Sequence, residues 1–170
     1  MTEKNTEREF IPLNITVLTI SDSRTEETDK SGKKVVELLE QVGHKCFEKK
    51  IVPDDVYAIR AEVSRWVADE SVQVVLTTGG TGVTGRDGTP EAVSVLFDKV
   101  IDGFGETFRA ISFQQIKTST IQSRAIAGVA KQLNTNGGES ESGLGFGISG
   151  RIKTFGKDDF RFQLHGGNTG

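Results

Sequence analysis

The chain has 170 residues, 21 basic and 24 acidic, with a formal net charge of -3, and 35% of it is hydrophobic. This length favours one domain with a self-sufficient core, and the charge argues against a polyelectrolyte grip on nucleic acid, which needs a basic face. No run approaches the roughly 18 apolar residues of a membrane span, Met1 to Glu9 lacks an apolar signal segment, and one cysteine, Cys46, permits neither an internal disulfide nor a cysteine-rich metal site. The cytoplasm is the expected compartment, and a local cationic pocket remains compatible with the charge.

Residues 1 to 9 read as a solvated leader. Asn14 to Ile20 is a short β-branched run, expected as a buried strand, and it ends in the polar turn Ser21-Asp22-Ser23. Ser31-Gly32 opens a helix whose apolar face is Val35, Val36, Leu38, Leu39 and Val42, with Gly43 as its stop. His44 to Val52 reads as a second strand, and Cys46 within it as a small buried residue rather than a reactive thiolate. Pro53 and Asp54 break that strand, and a second helix follows with the stripe Ile59, Val63, Trp66 and Val67. Val72 to Leu76 is a third buried strand. Strands alternating with amphipathic helices imply βαβ units and a mostly parallel sheet. Ligands of such sheets bind at the carboxyl ends of the strands, near a topological switch point. That rule selects three loops: Ser21 to Ser31, Pro53 to Asp55, and Thr77 to Thr89.

The third loop reads Thr77-Thr78-Gly79-Gly80-Thr81-Gly82-Val83-Thr84-Gly85-Arg86-Asp87-Gly88-Thr89-Pro90-Glu91-Ala92. Its glycines allow positive φ and close approach of a ligand, and consecutive exposed amides can cradle an anion. Thr89 is expected as an N-cap with Pro90 at N1, adding a positive dipole end to the rim. A plain glycine-rich exit turn explains Gly-Gly-x-Gly equally well. The loop has neither the Gly-Lys-Ser/Thr of a Walker loop nor the Gly-x-Gly-x-x-Gly spacing of a dinucleotide site. Arg86 can fork onto a phosphate and Asp87 can offer oxygen to Mg²⁺; the alternative for the pair is a surface salt bridge.

These residues carry a resemblance. The segment from Leu76 through Gly82, then Arg86-Asp87-x-Thr89-Pro90-Glu91-Ala92, resembles the MoaB/MogA family of molybdenum-cofactor biosynthesis proteins. So do Ser21-Asp22-Ser23, Asp29-x-Ser31-Gly32, Val52-Pro53-Asp54, Gly103-Phe104-Gly105-Glu106 with Phe108-Arg109, and Ser119-Thr120-Ile121-x-Ser123-Arg124-Ala125-x-Ala127-Gly128. The match covers about residues 10 to 130 and is nearest the MoaB branch.

The resemblance implies an α/β fold, a three-layer αβα sandwich with a mostly parallel sheet, assembled as a homotrimer or homohexamer. It implies transfer of AMP from ATP to molybdopterin with Mg²⁺, releasing pyrophosphate, and a partner enzyme that inserts molybdate. Asp87 would be the essential carboxylate, binding Mg²⁺ or orienting the attacking pterin phosphate. Asp54 would be a second catalytic or Mg²⁺-binding carboxylate, or else a helix N-cap. Gly79, Gly80, Thr81 and Gly82 would donate amides to phosphate. Ser21, Asp22 and Ser31 would line the nucleotide or pterin rim, with Arg86, Thr89 and Glu91 beside it. Glu106 and Arg109 are either near the site or a helix-surface pair, and Ser123 and Arg124 are similar cases. Two other functions remain open: a non-catalytic oligomeric molybdopterin-binding or scaffold protein, and an unrelated nucleotide-binding regulator.

The likeness is expected to stop near Ala130. Ten of the 20 glycines lie between Gly137 and Gly170, and no proline follows Pro90. A strand of alternating glycine, as in Gly143 to Gly150, is entropically poor, whereas Asp159 to Leu164 alternates as an edge strand would. Residues 131 to 170 are therefore either a divergent C-terminus packed as a hairpin on the sheet, or a frame-shifted or artificial end that replaces a native strand and helix. The sharp transition favours the second.

Overall fold

The computed structural model describes residues 10–130 and 147–149. The leader at residues 1–9, and Asp159 to Leu164 with the rest of the tail, lie outside the described residues.

The first strand, β1 (Asn14–Ile20), has the bounds its composition implies and is buried from Ile15 onward. It is the central rail. β2 (Lys45–Val52) pairs with it in parallel on one side and β3 (Val74–Thr78) in parallel on the other, so that Val17 faces Lys49 and Leu76. The third strand begins two residues later than expected. Val72 closes the turn after the second helix, its amide bonding to Asp69 O at 3.2 Å, and Ile15 to Thr19 take Val74 to Thr78 as partners. Local composition cannot choose between those two starts, because both runs are apolar.

Side chains alternate across this sheet with period two. Ile15, Val17, Val74 and Leu76 face a core shared with Val35, Leu38 and Leu39 of helix α1 (Lys30–Gln41). Leu18, Ile20 and Val75 face the opposite core, with Ile59, Val63 and Trp66 of α2 (Val56–Ala68) and Ala92 and Val93 of α3 (Thr89–Ser94). Helices thus cover both faces, which is why β1 and β3 read as continuous apolar runs rather than alternating ones. Trp66 is fully buried and its Nε1–H still finds Glu48 at 2.8 Å, as a buried indole requires. Cys46 is half-buried, and burial pushes its thiol up from the ordinary range.

The helix starts differ from their sequence reading in an informative way. Asp29, not Ser31, caps α1: its Oδ1 accepts from Gly32 N at 2.8 Å. Asp55, not Asp54, caps α2, accepting from Ala58 N at 2.8 Å, which removes the N-cap role considered for Asp54. Gly88 occupies the cap position of α3, so Thr89 is not the N-cap but its first helical residue; Pro90 follows inside the first turn. After α3 the chain adds β4 (Lys99–Val100), α4 (Asp102–Ile116), a 3-10 turn (Lys117–Gln122) and β5 (Gly128–Val129), which pairs antiparallel with β4.

The expectation that the glycine-alternating stretch Gly143 to Gly150 is poor strand material needs correction at Gly147–Ser149. Gly147–Ser149 forms a strand, β6, parallel to β3, so the main sheet runs β2-β1-β3-β6. The exposed edge of β3 offers a row of unpaired amides and carbonyls, and such a template recruits even glycine-rich backbone. The chain leaves β1 for β2 on one side and returns across it to β3 on the other. The direction of winding therefore reverses between β1 and β3, and the crevice beyond their carboxyl ends is the switch point.

Candidate functional site

A cavity of about 440 Å³ opens at that switch point, within the usual range for small-molecule sites. Its floor is the end of β1 (Thr19, Ile20, Ser21) and the end of β3 with its loop (Thr78 to Gly82). Ser31 and Asp87 also line it, as do Ile116, Ser119, Gln122 and Ser123 from the end of α4 and the 3-10 turn. Of the twelve residues singled out from the sequence, Ser21, Ser31, Gly79, Gly80, Thr81, Gly82 and Asp87 meet here.

Glycine is obligatory at the bend. Gly79 has φ +104° and Gly80 φ +60°, and a Cβ on Gly79 would lie 2.1 Å from Ile20 O. A Cβ on Gly82 would lie 2.7 Å from Asp87 Oδ2. The loop therefore folds tightly against both β1 and its own carboxylate. Asp87 accepts from Thr84 N at 2.9 Å and from the Thr84 hydroxyl at 2.5 Å, and from the Gly82 amide. The Thr84 hydroxyl bond, helped by the two amides and by Arg124, holds this carboxyl below its ordinary range. Asp87 is a fixed anion.

Asp54 moves the other way. Burial raises its pKa, and the charges of Asp87 and Asp22 add to that, against a 3.3 Å bond from Gly88 N and the charge of Arg86. Three carboxylates thus approach one another beside the glycine loop. Asp22 further accepts from Asp54 N at 3.1 Å and forms an ion pair with Arg86 at 2.7 Å. Arg86 pairs with Asp22, across the chain, and not with its neighbour Asp87. Asp22, Asp54 and Arg86 stand beside the cavity rather than in its wall.

Thr89 and Glu91, expected beside the rim, stand outside the cavity lining and have partners within the protein. Thr89 is fully buried, and its hydroxyl donates to Gly79 O at 2.9 Å while its amide bonds to Gly80 O at 3.0 Å. Glu91 is exposed and pairs with Arg124. Arg124, whose place the sequence left open, is the clasp of the loop: its Nε donates to Gly82 O at 2.7 Å and its other nitrogens bond to Asp87 O and Glu91. Ser123 beside it is buried, lines the cavity, and has a hydroxyl without a partner among the described residues. No ion pair joins Glu106 to Arg109 among the described residues, so the helix-surface pair considered for them is not formed.

Asp29 lines the cavity and was given no role from sequence. It is 1% exposed, receives Thr19 Oγ1 at 2.9 Å, and forms an ion pair with Lys49 at 2.9 Å. Burial alone would raise its pKa; the bonds from Lys49, Gly32 and Thr19 outweigh that and leave it lowered. The legible signal was Asp three residues before Gly32, an N-cap spacing. Asp29→Ala is expected to cost about 2–3 kcal/mol, from the lost cap and the lost charged hydrogen bonds. Because the folded pKa is depressed, Asp29 stabilises fully above the unfolded carboxylate pKa of about 3.9, and this is lost as pH falls through the lower folded value. Urea midpoints measured across pH 3 to 7 check it: the gap between wild type and Asp29→Ala should narrow towards the acid end.

Comparison with known proteins gives a consistent picture. The family described as "Probable molybdopterin binding domain" matches residues 16–148, so the likeness continues past Ala130 and reaches β6. Molybdenum cofactor biosynthesis protein B of Escherichia coli (strain K12) is 53% identical over 124 residues, covering 73% of each chain. The protein of the same name from Bacillus cereus is 55% identical over 113 residues, covering 66% of this chain and 67% of its own. A crystal structure of a molybdenum cofactor biosynthesis protein B superposes with TM-score 0.73 at 44% identity, over 84% of this chain and 83% of that one. The tungsten cofactor synthesizing protein MoaB from Pyrococcus furiosus does so with TM-score 0.62 at 34% identity, over 83% and 84%.

Proposed function

The chain belongs to the MoaB/MogA family of molybdenum-cofactor biosynthesis proteins, and from that premise we propose that it transfers AMP from Mg·ATP to molybdopterin. A phosphate oxygen of the pterin attacks the α-phosphorus of ATP, the bond to the β-phosphate oxygen breaks, and adenylyl-molybdopterin and pyrophosphate form. The observation that carries this reading is the glycine bend beside the Thr84-held carboxylate of Asp87 at a switch-point cavity. Such a reaction needs positioning and charge stabilisation, with no covalent nucleophile.

The residues have matching tasks. Amides of the Gly79 to Thr81 bend hold phosphate oxygens, while the Gly82 amide is kept by Asp87. Asp87 keeps its charge and stays fixed by Thr84, so it orients the reacting phosphates without moving. Asp54, whose carboxyl is pushed up by burial and by the charges of Asp87 and Asp22, is the group a nearby cation would relieve most. The mutual approach of Asp22, Asp54 and Asp87 supports a divalent cation in the working complex, which Asp87 and Asp54 would hold together with phosphate and water oxygens. Mg²⁺ supplies neutralisation of phosphate charge when bound. Among the described residues no group of three or more His, Cys, Asp or Glu could hold a metal ion by itself.

Homotrimeric or homohexameric assembly and docking to a molybdate-insertion enzyme belong to the same proposal, as does a cytoplasmic setting; no helix among the described residues is long and apolar enough to cross a membrane. The test is pyrophosphate release from Mg·ATP with and without molybdopterin, with the pterin product weighed by mass spectrometry. Release that depends on pterin and yields a product heavier by one adenylyl group supports the enzyme. Tight pterin binding with no release supports the scaffold reading. Light scattering on the same sample reads the assembly.

A further inference from the structure

A second, shallower cavity of about 490 Å³ adjoins the first, and the two share Ser21 and Arg24. Charge around that junction is unevenly settled. Three cations line the two cavities: Arg24, Lys49 and Lys50. Lys49 is paired with Asp29 at 2.9 Å and Glu26 at 2.8 Å, and Lys50 with Glu62 at 2.6 Å. Asp22, the other acid at the junction, is paired with Arg86. Arg24 alone of the three has no carboxylate partner among the described residues. Its side chain makes one bond, from Nη1 to Thr28 O at 3.2 Å.

The Arg24 backbone is held. Its amide donates to Ser21 Oγ at 3.2 Å, and the loop is tied again where Thr25 N donates to Thr28 Oγ1 at 2.9 Å. The guanidinium therefore sits at a fixed root with most of its five donors unassigned, between two spaces each large enough for one small ligand. Resting on the adenylyl-transfer reading above, we infer that Arg24, and not Arg86, contacts the phosphates where the two ligands meet. Arg86 lies outside both cavities and is already neutralised by Asp22. A polyphosphate entering the junction meets a free guanidinium whose fork matches two phosphate oxygens.

The experiment measures binding of inorganic pyrophosphate and of Mg·ATP by calorimetry to the full chain and to Arg24→Ala, Arg24→Lys and Arg86→Ala. Arg24→Ala is expected to weaken pyrophosphate about tenfold or more, the size of a lost charge-assisted bond. Arg24→Lys should recover part of that, since it keeps the charge without the fork. Arg86→Ala should weaken pyrophosphate binding clearly less than Arg24→Ala does, since its guanidinium is already paired with Asp22. In turnover, Arg24→Ala should raise the KM for ATP more than it lowers kcat. Wild-type affinity in Arg24→Ala, or a loss confined to Arg86→Ala, overturns the inference and leaves the adenylyl-transfer reading standing. A wild type that binds neither probe overturns that reading, and the inference falls with it. Arg24 is exposed, so far-UV circular dichroism should be unchanged in all three variants.

Discussion

Asp87→Asn is expected to slow adenylyl transfer by about two to three orders of magnitude, corresponding to about 3–4 kcal/mol of transition-state stabilisation. Asparagine has the same shape, and its Oδ1 can still accept from the Thr84 amide, which bonds to Asp87 at 2.9 Å. The loop should therefore keep its conformation, held from the other side by Arg124 on Gly82 O and Asp87 O. What disappears is one fixed negative charge at the cavity wall, with at least one of the three bonds accepted from Thr84 and Gly82. The check is single-turnover pyrophosphate release at saturating Mg·ATP and molybdopterin, with the urea midpoint measured on the same preparation. Equal rates in variant and wild type would remove Asp87 from the chemistry. A slow variant with an unchanged midpoint assigns the loss to charge rather than folding.

Gly79→Ala is expected to destabilise the fold by about 3 kcal/mol or more, from a residue forced into left-handed backbone and from steric overlap. At φ +104° any side chain is strained, and the new Cβ would lie 2.1 Å from Ile20 O, a backbone atom of the central strand. Relief requires β1 and β3 to part at their carboxyl ends. It would also displace Gly79 O from the Thr89 hydroxyl, which sits at 2.9 Å. For a domain of this size the melting temperature should fall by about 6–12 °C. Gly85→Ala is the control: nothing lies within 4 Å of its Cβ position, and its melting temperature should match wild type. If Gly79→Ala melts with wild type, the bend does not have the conformation described, and the amide seat built on it is lost as well.

Particular residues show how far the sequence could be read. The limits of β1, the buried faces of α1 and α2, and the loop that carries Asp87 were all legible, because each depends on neighbours a few positions away. Periodicity reports burial directly, and the glycines at 79 and 80 announce a bend only glycine can make. Partnerships across the chain were not legible. Arg86 stands next to Asp87 in sequence yet pairs with Asp22, 64 positions earlier. Asp54 was a credible helix cap until Asp55 took that place. Thr89 passed for a cap and proved to be a buried strut under Gly79. The tail misled for a related reason: glycine-rich composition speaks against a strand by itself, while the free edge of β3 makes one of Gly147–Ser149.

The amino-acid order by itself determined an α/β chain with its glycine-rich loop after a strand of a parallel sheet, since strand and helix periods and turn residues are local properties of the backbone. Only the tertiary structure decided which charges are used up and which are left over. Asp29 is matched by Lys49 and Asp22 by Arg86, while Arg24, bonded to Thr28 O, has no carboxylate partner among the described residues. Ion pairs are settled by distances of a few ångströms between residues that the chain brings together from far apart, and Coulomb energy depends on that separation and on burial, not on position in the sequence.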